Sequence, residues 1–249
     1  MILELDDVTV TFAAGPPFRR IHLDAMRHVT LSVAEGETLG LVGESGSGKT
    51  TTSRVALGLQ RPTAGTVRFG GRPFPKRRRE LAGRMQAVLQ HPHWSLNPRM
   101  RVGQSVAEPL AVLGRLEDGR AGDAVTEVLE QVGLEAAFAG RYPHELSGGQ
   151  RQRVSIARAL VTRPGFIVFD EAVSALDVSV QVQILNLIKD LQAEYGFSAL
   201  FISHDLGAVR YVADRIAVMR AGEIVETAET ATFYTAPSHE YSKQLLEAL

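Results

Sequence analysis

"GESGSGKT", residues 43–50, fits the pattern G-x-x-x-x-G-K-[ST]. The apolar run "TLGLV" precedes it, and residues 49–60 read as a helix leaving it. Strand, glycine loop and helix in that order make a cradle for phosphates. Gly43, Glu44, Ser45, Gly46, Ser47 and Gly48 form the loop. Backbone N–H groups from Gly46 to Lys49 would surround the phosphates. Lys49 would reach the β and γ oxygens, the Thr50 hydroxyl would ligate Mg²⁺, and Thr51 would add a contact to the α-phosphate. A plain Gly/Ser turn has no need of both correct flanks.

The loop predicts an α/β fold, and the rest of the chain agrees. "FIVFD" (166–170) and "SALFIS" (198–203) are short apolar runs, as buried parallel strands would be. "MQAVLQ" (85–90) reads the same way. Val180, Ile184, Leu187 and Leu191 stand at helical spacing between two of these runs. "LELDDVTVTF", "RHVTLSV" and "TVRFGG" are further strands towards the N-terminus. "RIAVMRAGEIVET" reads as a hairpin turning at Ala221 and Gly222, and "HEYSKQLLEAL" as a small terminal helix. Between residues 102 and 139 the pattern is helical. We therefore expect one domain over 1–249. Its core is a mainly parallel sheet (1–90 and 163–249) with an antiparallel β subdomain at the N-terminus. A helical insertion occupies about 91–162.

Composition narrows the function classes. The 249 residues carry 27 basic and 28 acidic side chains. That balance argues against a dedicated nucleic-acid binder. There is no cysteine, which excludes disulfides, iron–sulfur clusters and Cys-type zinc sites. No apolar run approaches the roughly 18 residues of a membrane span. The N-terminus has acids where a signal peptide needs bases. "KRRR" (76–79) reads as a solvated helix start.

Asp170 ends one buried run and Glu171 follows it. Two carboxylates at a strand end suit one metal-holding acid and one group to polarise water. Gln90 and His204 also end buried runs. His204 is read at the start of a helix. Parallel strands present their C-terminal ends on one side. A second glycine-bearing stretch, "LSGGQ" (146–150), stands where another helix begins. Ser147 suits an N-cap there, and Gly148 and Gly149 leave backbone N–H groups open to an anion. No lysine stands beside it, unlike Lys49 in the first loop.

Residues 43–50, Gln90, LSGGQ, "FIVFDE", "SALD" (174–177) and His204 occur in an order that resembles the ATPase subunits of ABC transporters. The resemblance covers the chain and implies the P-loop NTPase fold, ATP and Mg²⁺. It implies that Gln90 contacts Mg²⁺ and the attacking water, and that Glu171 is the catalytic carboxylate. His204 is implied to contact the γ-phosphate, Asp177 to communicate across a dimer, and Phe12 to stack on adenine. It also implies head-to-tail pairing. The P-loop of one subunit then faces Ser147, Gly148, Gly149 and Gln150 of the other.

"QHPHWSLNPRM" (90–100), "DEAVSALDVSVQVQILNLI" and the tail "APSHEYSKQLLEAL" resemble the oligopeptide, dipeptide and nickel importer ATPases more narrowly. His91, His93 and Glu240 depart from the usual residues. Trp94 is read as lining the groove for a membrane subunit's helix. The implied partners are a second ATPase subunit, two transmembrane permease subunits and, indirectly, an extracytoplasmic substrate-binding protein. The implied location is peripheral, on the cytoplasmic face of the membrane. Two other assignments use the same motifs. One is an accessory ATPase of a soluble complex of the carbon–phosphorus lyase type, and the other is a nucleic-acid-linked ABC ATPase.

Overall fold

The computed structural model describes residues 1–14, 21–90, 96–116 and 121–247. His91, His93 and Trp94 lie outside them, as does Phe18. The chain runs β1 (Leu3–Ala14), β2 (Ile21–Val33), β3 (Thr38–Val42), α1 (Lys49–Ala56), β4 (Ala64–Phe69), β5 (Arg72–Pro73) and β6 (Met85–Leu89). It continues with α2 (Val102–Val112), α3 (Ala121–Gln131), α4 (Gly148–Leu160), β7 (Phe166–Asp170) and α5 (Val178–Tyr195). Then come β8 (Ser198–Ile202), α6 (Leu206–Val212), β9 (Arg215–Arg220), β10 (Glu223–Glu229), α7 (Thr230–Thr235) and α8 (Glu240–Glu247). The described chain forms two compact units.

The first unit comprises Met1–Lys76 and Ser198–Leu249. It contains an antiparallel sheet in the order β2-β1-β4-β5. Leu3, Leu5, Val8 and Val10 of β1 are buried there with Met26, Val29 and Leu31 of β2. The same unit holds β3 between β8 and β9, parallel to both, with β10 antiparallel on β9. Strand β3 is buried along its whole length, as is β8. This explains their unbroken apolar sequences, because a strand covered on both faces has no polar side to alternate with. Leu41 pairs with Ile202 and Val42 with Val218. The loops after β3 and β8 therefore leave from one edge.

The second unit, Arg77–Phe197, pairs β6 with β7 in parallel. Helix α4 packs against α2, α3 and α5. Val106, Leu129, Val154, Ile156 and Leu160 fill the space between them. Helix α5 buries Ile184, Leu185, Ile188 and Leu191. Val180 and Leu187, placed on that stripe by spacing, are only half-buried at its margins. Helix α1 stops at Ala56 rather than reaching Gln60. Gly58 adopts a left-handed φ of 63°, and both Leu59 and Gln60 fold their N–H groups back to the Arg54 carbonyl. Arg77, Arg78 and Arg79 are exposed at the start of a 3₁₀ turn, a solvated start as expected.

Candidate functional site: two phosphate cradles

The loop after β3 is shaped by what lies beneath it. A Cβ on Gly43 would sit 2.1 Å from the Met219 carbonyl oxygen. On Gly48 it would sit 2.5 Å from the Ala25 carbonyl oxygen. Side chains at either place would push the loop off β9 and β2. Gly48 is also the N-cap of α1, in a left-handed conformation and with no side-chain cap. The helix thus opens with its N–H groups unobstructed by a capping side chain, as an anion site requires.

Lys49 is buried, and its Nζ donates to the Gly43 and Glu44 carbonyls at 2.7 and 2.8 Å. The ammonium is folded back on its own loop. The Ser47 hydroxyl is buried and finds no hydrogen-bond partner among the described residues. Glu44, Ser45 and Thr50 are exposed, and Thr51 is half-buried. Thr52, behind them, donates to the Gly48 carbonyl at 3.1 Å and fixes the first turn.

His204 follows β8 at the edge where the glycine loop leaves β3. Ser203 N–H extends that ladder by donating to the Leu41 carbonyl at 3.3 Å. His204 does not begin the helix. Asp205 is the N-cap of α6, its carboxylate accepting from Ala208 N–H at 3.1 Å. His204 therefore stands in the loop, exposed. Phe12 lies near the end of β1 opposite Leu23 and is 37% exposed, so it is not a core residue.

In the second unit, Leu89 pairs with Asp170. Gln90 and Glu171 thus leave the same end of adjacent strands, and a serine joins them. Gln90 Nε2 donates to Ser174 Oγ at 3.1 Å, and that hydroxyl donates to the Glu171 carbonyl at 3.0 Å. In the sequence Ser174 stands out only as part of "SALD". Its bridging role could not be read from spacing. Glu171 has φ of +54°, a left-handed conformation costing a non-glycine residue roughly 1–2 kcal/mol. Strain of this kind concentrates at functional positions. Asp177 occupies the N-cap of α5, yet its carboxylate makes no cap hydrogen bond and is exposed.

The second cradle is a helix cap as well as an open N-terminus. Ser147 Oγ accepts from Gln150 N–H at 3.2 Å, and Gln150 Oε1 accepts from Ser147 N–H at 2.9 Å. Gly149 lets α4 approach α5, since a Cβ there would meet Val180 Cγ1 at 2.7 Å. Two arginines follow, but both face backbone. Arg151 Nη1 donates to the Leu146 carbonyl at 2.5 Å and Arg153 Nη1 to the Val132 carbonyl at 2.6 Å. Both guanidinium groups are thus engaged with carbonyl oxygens.

Among the described residues no group of three or more His, Cys, Asp or Glu is placed to hold a metal ion. The candidate donors Thr50, Gln90 and Asp170 are all oxygen donors. Each by its chemistry suits a hard ion such as Mg²⁺, which takes oxygen ligands. No helix among the described residues is long and apolar enough to cross a membrane.

Comparison with known proteins agrees with this geometry. The family model described as ABC transporter matches residues 26–174. A putative peptide import ATP-binding protein of Brucella abortus (strain 2308) is 49% identical over 255 residues, covering 100% of this chain and 76% of that protein. The oligopeptide transport ATP-binding protein OppF of Bacillus subtilis (strain 168) is 48% identical over 232 residues, covering 90% and 76%. Among solved structures, the dimeric post-hydrolysis state of the ATP-binding cassette MJ0796, bound to ADP and Pi, superposes with a TM-score of 0.77. It is 30% identical, and the match covers 92% of this chain and 98% of that one. With a glycine loop joining β3 to α1, a family model matched over residues 26–174 and a relative matched along its whole length, the chain belongs to the ABC transporter family as an ATP-binding subunit.

Proposed function

We propose that this chain hydrolyses ATP to power the import of peptides or a related small solute. It would work with a second ATPase subunit and two permease subunits, on the cytoplasmic face of the membrane, with an extracytoplasmic binding protein delivering the solute. The two relatives described above are a putative peptide import ATP-binding protein and an oligopeptide transport ATP-binding protein. The observation that carries the hydrolytic step is Glu171. It is held in a left-handed conformation beside Gln90 through Ser174.

The residues divide the work as follows. Phe12 packs on the adenine ring. The loop N–H groups from Gly46 to Lys49 bind the phosphates, and Lys49 leaves the Gly43 and Glu44 carbonyls for the β and γ oxygens. Thr51 adds a contact to the α-phosphate. Thr50, Asp170 and Gln90 would hold Mg²⁺, which when bound would neutralise charge on the phosphates. Glu171 takes hydrogen-bond hold of the attacking water and polarises it. Lys49 and His204 stabilise the charge growing on the γ-phosphoryl oxygens. Ser147 and Gly149 of the partner subunit complete the enclosure, with Gly148 and Gln150 shaping the helix start they stand on. Asp177 links the two sites. Hydrolysis removes the bridge between subunits, and the helical insertion transmits the opening to the permeases.

Glu171→Gln tests the chemistry. It keeps the side chain's size and removes its basicity. ATP binding should persist while turnover by the complete transporter falls about 100-fold or more, and an ATP-bound dimer should accumulate. Normal turnover in this variant would take Glu171 out of the reaction.

A further inference from the structure

The tail that sequence comparison tied only to importer ATPases reaches the phosphate loop. Tyr241, on α8, is 3% exposed. Its Oη accepts a hydrogen bond from Glu44 N–H at 3.1 Å, across 197 residues of sequence. That N–H belongs to the peptide joining Gly43 to Glu44. The carbonyl of the same peptide, Gly43 O, accepts from Lys49 Nζ at 2.7 Å. A trans peptide points its N–H and C=O in opposite directions. The phenol and the lysine therefore pull on opposite edges of one plane. Rotation of that plane would carry the lysine's anchor with it.

The tyrosine is itself held. The Arg220 guanidinium, at the end of β9, lies 4.7 Å from the centre of its ring. Tyr241 N–H donates to His239 Nδ1 at 3.1 Å. The start of the tail is tied to β10, where Glu226 accepts from Ser238 N–H at 2.7 Å and His239 N–H at 3.0 Å. A continuous chain of contacts thus leads from β10 through α8 to the first peptide of the loop. All of it lies within the first unit. Packing alone would be served by phenylalanine. The hydroxyl adds a bond to the one loop peptide that also holds Lys49.

We infer that the segment from Ser238 to Tyr241 is a clamp on the phosphate loop, and that Tyr241 is a positioning residue for nucleotide binding. The inference rests on the proposal that this loop binds ATP. Tyr241→Phe removes only the hydroxyl. ATP binding is measured by calorimetry on the full chain, and KM and kcat are measured in the complete transporter. The variant should bind ATP about fivefold more weakly, the loss of one ordinary hydrogen bond. KM should rise with kcat nearly unchanged, whereas a merely structural role would lower the active fraction and leave KM alone. ATP affinity equal to that of the unmodified chain overturns the clamp. Absence of ATP binding by the unmodified chain overturns the loop's own assignment, and the clamp with it. Should Tyr241→Phe fail to fold, Glu226→Gln loosens the same helix with the phenol in place, and its ATP affinity is judged by the same two outcomes.

Discussion

Gly43 shows how little latitude a phosphate loop has at single residues. Its φ is +149°, and a methyl group would lie 2.1 Å from the Met219 carbonyl oxygen, a backbone atom that cannot swing aside. Gly46 also has a positive φ, +82°, but a methyl there would meet nothing within 4 Å. The two substitutions should therefore separate. Gly46→Ala should cost roughly 1–2 kcal/mol, from backbone conformation alone. Gly43→Ala adds overpacking of about 1–3 kcal/mol and must displace the peptide that Lys49 and Tyr241 hold. Denaturant melts should rank Gly43→Ala as the less stable, and calorimetry should show its ATP affinity falling furthest. Equal effects would mean that contact with Met219 does not set the loop.

At the scale of elements, β3, β7 and β8 were legible because each is a short apolar run with chemistry at its end. The glycine loop, Asp170 and Glu171 stand at the ends of such runs, so their positions follow from the same pattern. Helix α1 was read too long because "ALGLQ" keeps an apolar pattern past the point where Gly58 turns left-handed. His204 was read as a helix start because only the fold shows that Asp205 supplies the cap. Glu226 was read as one residue of a hairpin. Its partners lie twelve and thirteen positions on, in a segment whose path local pattern does not encode. Burial alone would push its carboxyl up, but the N–H groups of Ser238 and His239 outweigh burial and hold it down at about 2, against an ordinary 4.5. A depressed carboxyl stabilises the fold above its unfolded value and loses that contribution as pH falls through its folded value. The contribution is up to ~3 kcal/mol at neutral pH, fading from about 4.5 towards 2. The stability gap between the unmodified chain and Glu226→Gln should narrow between pH 5 and pH 3 in denaturant melts. A gap that stays constant would detach the carboxylate from the tail.

The whole molecule carries two cradles of unequal chemistry. One has a lysine, three glycines in its loop and a helix start with no side-chain cap. The other has its helix capped by Ser147 and Gln150, with Arg151 and Arg153 turned to backbone carbonyls. A cradle without an available cation does not hold a triphosphate alone. Under the proposed function it meets a phosphate whose charge Lys49 of another subunit would already balance. Ser147 is exposed, so an arginine there is accommodated without disturbing the core, at about 1 kcal/mol for the lost cap. Ser147→Arg should bind ATP as the unmodified monomer does. In a Glu171→Gln background it should fail to form the ATP-dependent dimer by light scattering, because the bulk stands where the partner's nucleotide must enter. Turnover in the otherwise unmodified transporter should be lost in parallel. If monomeric ATP affinity falls instead, LSGGQ (146–150) acts on its own chain's nucleotide. The two cradles would then be halves of one site in cis rather than a device for pairing subunits.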